Sequence, residues 1–183
     1  MKYFILILSF ILSLILTTST FSKDELILNL QSGGNIIFIR HALAPGTGDP
    51  ENIDLNDCET QRNLNDKGIE QSKLIGDFFK KNNIPIDQVL SSEWCRCKDT
   101  AMYAFDKFNT FKPLNSFYDE KFFKNKNKQI NNLKKFIDKW DGKKNLIFVT
   151  HYVVILKMLG IGTNSSELVI TDKKLKIINN LKF

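Results

Sequence analysis

The sequence predicts a three-layer α/β/α domain: a mostly parallel central sheet, helices on both faces and a C-terminal hairpin. Three observations carry this. Residues 35–41 read NIIFIRH and residues 145–151 read NLIFVTH. Each is an Asn, four apolar residues, one polar or charged residue and then a His. Unbroken Ile/Phe/Val runs of this length suit strands buried on both faces, as in parallel sheets. Apolar runs then alternate with amphipathic stretches of helical period, the pattern of a layered α/β domain. Finally, two apolar runs at 167–171 and 175–180 flank a turn at Asp172-Lys173, which fits a hairpin.

Along the chain, Lys2, an apolar stretch over 3–16 and small residues at Thr20 and Ser22 have the layout of a secretory signal peptide, residues 1–22. The stretch is short for a membrane span of about 20 residues. The expectation is export to a periplasmic or extracellular space; the alternative is an uncleaved N-terminal anchor. Removing 22 of 183 residues leaves 161, one domain's worth, spanning 23–183.

Residues 24–31 predict a short helix ended by Gly33-Gly34. Strand one follows at 35–40. Residues 42–63 form a loop rich in Gly and Pro, and loops of that length are usually functional. Asn65 or Asp66 caps a helix to Lys81, with Ile69, Leu74, Ile75, Phe78 and Phe79 inward. A strand at 88–91 leads to a helix at 94–105. Residues 111–120 read as irregular strand and loop. A helix over 126–140 carries Ile130, Leu133, Ile137 and Trp140 as its stripe. The second signature strand, 145–149, precedes a helix at 152–159.

The charge pattern is selective. Of 26 basic residues only Arg40, Arg62 and Arg96 are Arg. Arg presents a planar fork of donors that matches phosphate or carboxylate, which Lys does not. Arg40 directly precedes His41, and the chain's two histidines, His41 and His151, both end strand runs. Chemistry in open α/β sheets collects beyond the carboxyl ends of strands. The lysines are dispersed in pairs, which argues against a nucleic-acid stripe, and a mildly basic surface favours anionic substrates. Cys58, Cys95 and Cys97 show no metal-ligand spacing. No metal and no cofactor are expected.

The segments IRH (39–41), RNLNDKG (62–68), SSEWCRCKDTA (91–101) and VTH (149–151), in that order, resemble the histidine phosphatase superfamily, also called phosphoglycerate mutase-like. The likeness runs from strand one to the final hairpin and uses both histidines and all three arginines. It implies that His41 attacks phosphorus and is transiently phosphorylated, while Arg40, Arg96 and His151 hold the phosphoryl oxygens and Arg62 adds a phosphate contact. Ser91 and Ser92 are expected to help place Arg96. A phosphoryl group in flight carries charge on its oxygens, so positioned cations suit the chemistry.

The sequence departs from the family at Ala42, where Gly often follows the His. It departs again at Ser116, after Leu114-Asn115, where a carboxylate often protonates the leaving oxygen. Asp119, Glu120 and Glu93 are the alternatives for that acid. The chain lacks the insertions that cap phytase-like sites, implying an open, shallow site. If Arg62 and Arg96 converge on one phosphate, Cys58 comes near Cys95 and Cys97, and a disulfide with either is expected; three free thiols are the alternative. The implied activity is a metal-independent phosphomonoester hydrolase acting on a small phosphorylated substrate or a phosphoprotein. The alternatives are a phosphoglycerate-type mutase and a catalytically silent phosphate-binding module.

Overall fold

The computed structural model describes residues 22–183; the expected signal peptide, residues 1–21 of it, lies outside the described residues. Helix α1 (Lys23–Ser32) is followed by β1 (Ile36–Arg40), α2 (Asp66–Lys81), β2 (Ile86–Ser91), α3 (Cys95–Phe105) and β3 (Asn109–Thr110). Then come α4 (Glu120–Phe123), α5 (Lys126–Lys139), β4 (Asn145–Thr150), α6 (Tyr152–Leu159), β5 (Leu168–Thr171) and β6 (Ile177–Leu181). The six strands form one sheet in the order β3-β2-β4-β1-β5-β6. β3, β2, β4 and β1 are parallel; β5 runs antiparallel to β1 and pairs with β6 as the C-terminal hairpin.

Alternate side chains of the central strands feed two cores, which is why both signature runs are apolar throughout. Ile37, Ile39, Ile147 and Val149 pack with Leu26 and Leu30 of α1, Ile75 and Phe79 of α2 and Ala101 of α3. Ile36, Phe38, Leu146 and Phe148 pack on the other face with Ile130, Leu133 and Ile137 of α5 and Val154 and Ile155 of α6. All eight strand residues are fully buried.

The repeated pattern is a register. β1 and β4 pair residue for residue, from Ile36 with Leu146 to Arg40 with Thr150. The ladder reaches His41, whose N–H donates to Thr150 O at 2.9 Å. At the opposite end the leading asparagines meet: Asn35 Nδ2 donates to Asn145 Oδ1 at 2.9 Å, both side chains buried. Asn145 Nδ2 in turn donates to Leu30 O and Pro85 O.

Local signals set the helix starts. Ser22 and Glu25 form a capping box at α1, and Asn65 Oδ1 accepts from Gly68 N at α2. Gly68 is required for another reason: a Cβ there would lie 2.3 Å from Leu43 O. The bare helix face lets α2 approach the segment just after His41.

Three expectations need correcting. Strand two begins at Ile86, two residues early, with a register shift between Ile86 and Gln88. The expected irregular strand at 111–120 is displaced: β3 is Asn109–Thr110, and Lys112–Leu114 is a 3-10 turn. Pro113 lacks the N–H that a strand ladder needs. The long loop is not structureless, since Asp57 caps a 3-10 turn at Cys58–Thr60.

Candidate active site

β1 and β4 are neighbours, and their carboxyl ends open into a cavity of about 300 Å³ lined by Arg40, His41, Arg62, Arg96 and His151. Loop residues Gly46–Asp49 and Ser116, Tyr118, Tyr152 and Val153 complete its wall. The His41 and His151 rings meet edge to face with centroids 5.5 Å apart. Residues from opposite ends of the chain are brought together because the two strands share a register.

His41 has its tautomer fixed. Nδ1–H donates to its neighbour's carbonyl, Ala42 O, at 2.8 Å. Nε2 is therefore the lone-pair nitrogen, and Arg96 Nε donates to it at 3.2 Å. Burial, then the positive charge of Arg96, brings the pKa of His41 down to about 3, helped by Arg40 and Arg62. The ring is neutral at physiological pH and keeps its lone pair on Nε2. The residue after His41 is held by Thr100, whose Oγ1 accepts from Ala42 N and donates to Arg96 O. Thr100 thus ties the segment after His41 to the helix that carries Arg96.

His151 sits at the N-terminus of α6, also buried, and its pKa is pushed well below the usual range by burial and then by Arg96. Its Nε2 lies 2.8 Å from Ser92 Oγ, which in turn contacts Asn115 Oδ1. Ser92 therefore positions His151 rather than Arg96. Asn115 also binds Glu93 through Nδ2 at 2.6 Å and the backbone N–H of Glu93. Glu93 is spent on that link and does not line the cavity.

The arginines play different parts. Arg96 is buried and points its outer fork at Asp49: Nη1 to Oδ1 at 2.6 Å and Nη2 to Oδ2 at 3.0 Å. Trp94 Nε1 donates to Asp49 Oδ2 at 2.9 Å. Arg40 donates through Nη1 to Thr163 O, lies over the Tyr152 ring at 5.5 Å, and keeps a buried Nε with no partner. Arg62 lines the cavity yet spends Nε and Nη1 on the carbonyls of Gly48, Ala44, Pro45 and Gly46. It gathers the loop over the site. The loop is thus tied down beside the site, and His41 is only 4% exposed.

Asp119 and Glu120 lie at the start of α4, outside the cavity wall. Glu120 is exposed. Asp119 packs by Gly48 and has a buried Oδ2 without a partner. Its pKa is raised by burial, then by Asp49. Ser116, at the family's acid position, lines the cavity. Cys58 and Cys95 form a disulfide with Cα atoms 5.7 Å apart, pinning the loop to α3. Cys97 is a buried free thiol, raised to about 12 mainly by burial.

Sequence reading missed Asp49, Trp94 and Thr100. Asp49 stands in the run GTGDP, where nothing but tertiary contact distinguishes its carboxylate from a solvated one. Among the described residues no group of three His, Cys, Asp or Glu side chains is gathered as for a metal ion.

Two histidines at neighbouring parallel strand tips, with guanidiniums around them, form a site suited to an anionic ligand. Residues 36–121 match the histidine phosphatase superfamily (branch 1). Solved structures share the fold. The putative phosphohistidine phosphatase SixA from Agrobacterium tumefaciens is 20% identical, with TM-score 0.56 over 81% of this chain and 97% of that one. A protein histidine phosphatase SixA complexed with tungstate is 15% identical, with TM-score 0.56 over 81% and 96%. Phosphoglycerate mutase from Thermus thermophilus is 13% identical, with TM-score 0.57 over 81% and 99%. A search of curated protein sequences finds no match.

Proposed function

We propose that the protein is a metal-independent phosphomonoester hydrolase that works through a phosphohistidine on His41. The observation that carries this is the state of His41: a neutral ring, its Nδ1–H fixed on a backbone carbonyl, its Nε2 lone pair met by Arg96 in a cavity lined by three guanidiniums. Nε2 attacks phosphorus; Arg96, Arg40 and His151 stabilise the charge on the phosphoryl oxygens, and Arg62 contributes from the loop it holds. A superfamily structure of the same fold carries tungstate, a tetrahedral oxyanion like phosphate. Water then cleaves the N–P bond. The segment 1–22 and the Cys58–Cys95 bridge support a site of action outside the cytoplasm, on a small phosphorylated metabolite, an envelope phosphosugar or a phosphoprotein.

The test is para-nitrophenyl phosphate hydrolysis with EDTA present. The wild type is expected to turn over and to be inhibited by vanadate, and His41→Ala to lose turnover by at least about 10³-fold while still binding vanadate. Full activity in His41→Ala sinks the mechanism. A wild type that binds vanadate but turns nothing over is the silent module instead.

A further inference from the structure

The reaction needs a proton for the leaving oxygen, and the sequence offered no settled donor. Among the described residues, Asp49 is the one carboxylate that lines the cavity holding His41. Resting on the phosphatase reading, we propose that Asp49 is the catalytic proton donor, parked on the Arg96 fork until the substrate's phosphoryl group takes that place.

The geometry makes the carboxylate a stand-in for phosphate. Its two oxygens occupy the two outer nitrogens of Arg96 at 2.6 and 3.0 Å, as two phosphoryl oxygens do on such a fork. The same guanidinium contacts His41 Nε2 through Nε at 3.2 Å. One planar cation therefore joins the nucleophilic nitrogen to the carboxylate, and a phosphoryl group bonded to Nε2 competes for the fork. Charge agrees: three guanidiniums against one carboxylate and two neutral histidines leave a surplus of positive charge, which favours an anionic phosphomonoester.

Displacement need not eject the carboxylate. Trp94 Nε1 holds Oδ2, so losing Arg96 frees Oδ1 to turn about that anchor. Gly46 and Gly48 before it take positive φ (+94° and +67°), the backbone freedom of glycine, and Pro50 follows. Off the fork, Asp49 faces a phosphoryl dianion on one side and Asp119 on the other, since Asp119 packs on Gly48. Like charges so placed favour the protonated carboxyl.

The step balances as follows. The substrate enters as its monoanion, whose second pKa is about 6, and gives its proton to Asp49. The Nε2 lone pair forms the N–P bond as the ester P–O bond breaks. The electron pair stays on the leaving oxygen, which takes the proton from Asp49, and the alcohol departs. Next, Asp49 accepts a proton from the attacking water, the N–P pair returns to Nε2, and phosphate takes that proton back from Asp49 and leaves as its monoanion, so that the carboxylate returns to the Arg96 fork.

The experiment compares two esters in wild type and Asp49→Asn. Nitrophenolate leaves without a proton and an alkoxide does not, so glycerol 2-phosphate needs an acid and para-nitrophenyl phosphate does not. Asp49→Asn is expected to cut kcat on glycerol 2-phosphate by about 10²- to 10⁴-fold and on para-nitrophenyl phosphate by less than about tenfold. Its vanadate inhibition constant should fall, because the resident carboxylate is gone. Asp49→Glu, which keeps an acid, should hold the ratio of the two rates within about tenfold of wild type. Equal losses on both esters, or weaker vanadate binding in Asp49→Asn, overturn the assignment and leave Asp49 a support for Arg96. If Asp49→Asn does not fold, Asp49→Glu decides: a collapse of its alkyl-to-aryl rate ratio overturns the proposal. A wild type inert toward both esters overturns the phosphatase reading itself.

Discussion

His41 shows how a fold keeps a histidine neutral by subtraction. The fold gives one ring nitrogen a carbonyl acceptor, surrounds the other with cations and removes water. The same environment has a stability consequence. Unfolded, the ring titrates near 6.5; folded, it stays neutral down to about 3. Between those values the unfolded chain binds a proton that the folded chain refuses. The favourable contribution is thus whole above 6.5 and shrinks as pH falls toward 3, by roughly 1.4 kcal/mol per pH unit. His151 acts in the same direction. Urea unfolding at pH 7 and pH 5 tests this. Wild type should lose about 2 kcal/mol more than His41→Gln over that interval; equal losses would mean that His41 titrates normally. At this scale the sequence disclosed the cations and histidines because their types are rare in it. Asp49 stayed hidden because carboxylates are common and its role comes from Arg96 and Trp94, 47 and 45 positions away.

Among elements, the loop after His41 is the one whose shape is set from outside. Arg62 collects its carbonyls, Gly68 admits the α2 terminus against Leu43, and the Cys58–Cys95 bridge closes it onto α3. The bridge closes a loop with a sequence separation of 37, for which the chain-entropy account gives about 4 kcal/mol. Cys58→Ser should therefore lower unfolding free energy by roughly 2–4 kcal/mol, and reduction of the wild type should match it. Cys97→Ser leaves the bridge intact and should not reproduce the change on reduction. Native alkylation of three thiols would refute the bridge. Strands β1 and β4 and helices α2, α5 and α6 were legible because hydrophobic period and caps are local. The 109–123 stretch was not, because its turns answer to neighbours such as Gln129, whose Nε2 binds Asn115 O.

For the whole molecule, the open question of chemistry is hydrolysis against transfer, since both activities occur among proteins of this fold. A mutase must keep a phosphohistidine from water until an acceptor hydroxyl arrives. Here the cover is a single loop whose contact with Arg96 is one carboxylate, which the substrate itself displaces under the proposal above. Water should therefore reach the intermediate. Given a phosphomonoester and excess 3-phosphoglycerate, most phosphoryl groups are expected as free phosphate; if most end on the glycerate, the mutase reading replaces this one. The layered architecture was readable from the strand and helix alternation, whereas the sheet order was not. Placing β4 between β1 and β2 depends on crossovers that no local pattern records.

The buried Asn35–Asn145 contact acts as the zero mark of a ruler. Parallel strands of purely apolar residues are poorly indexed, since one Ile matches another along the ladder. Asn145 Oδ1 accepts from the Asn35 side chain and backbone N–H alone, so a slipped register would leave that buried oxygen unsatisfied. Six residues later, roughly 20 Å along the strands at 3.3 Å per step, both rulers end in a histidine. The spacing of the two imidazoles is thus gauged at the far end of the sheet, by groups that do not line the cavity.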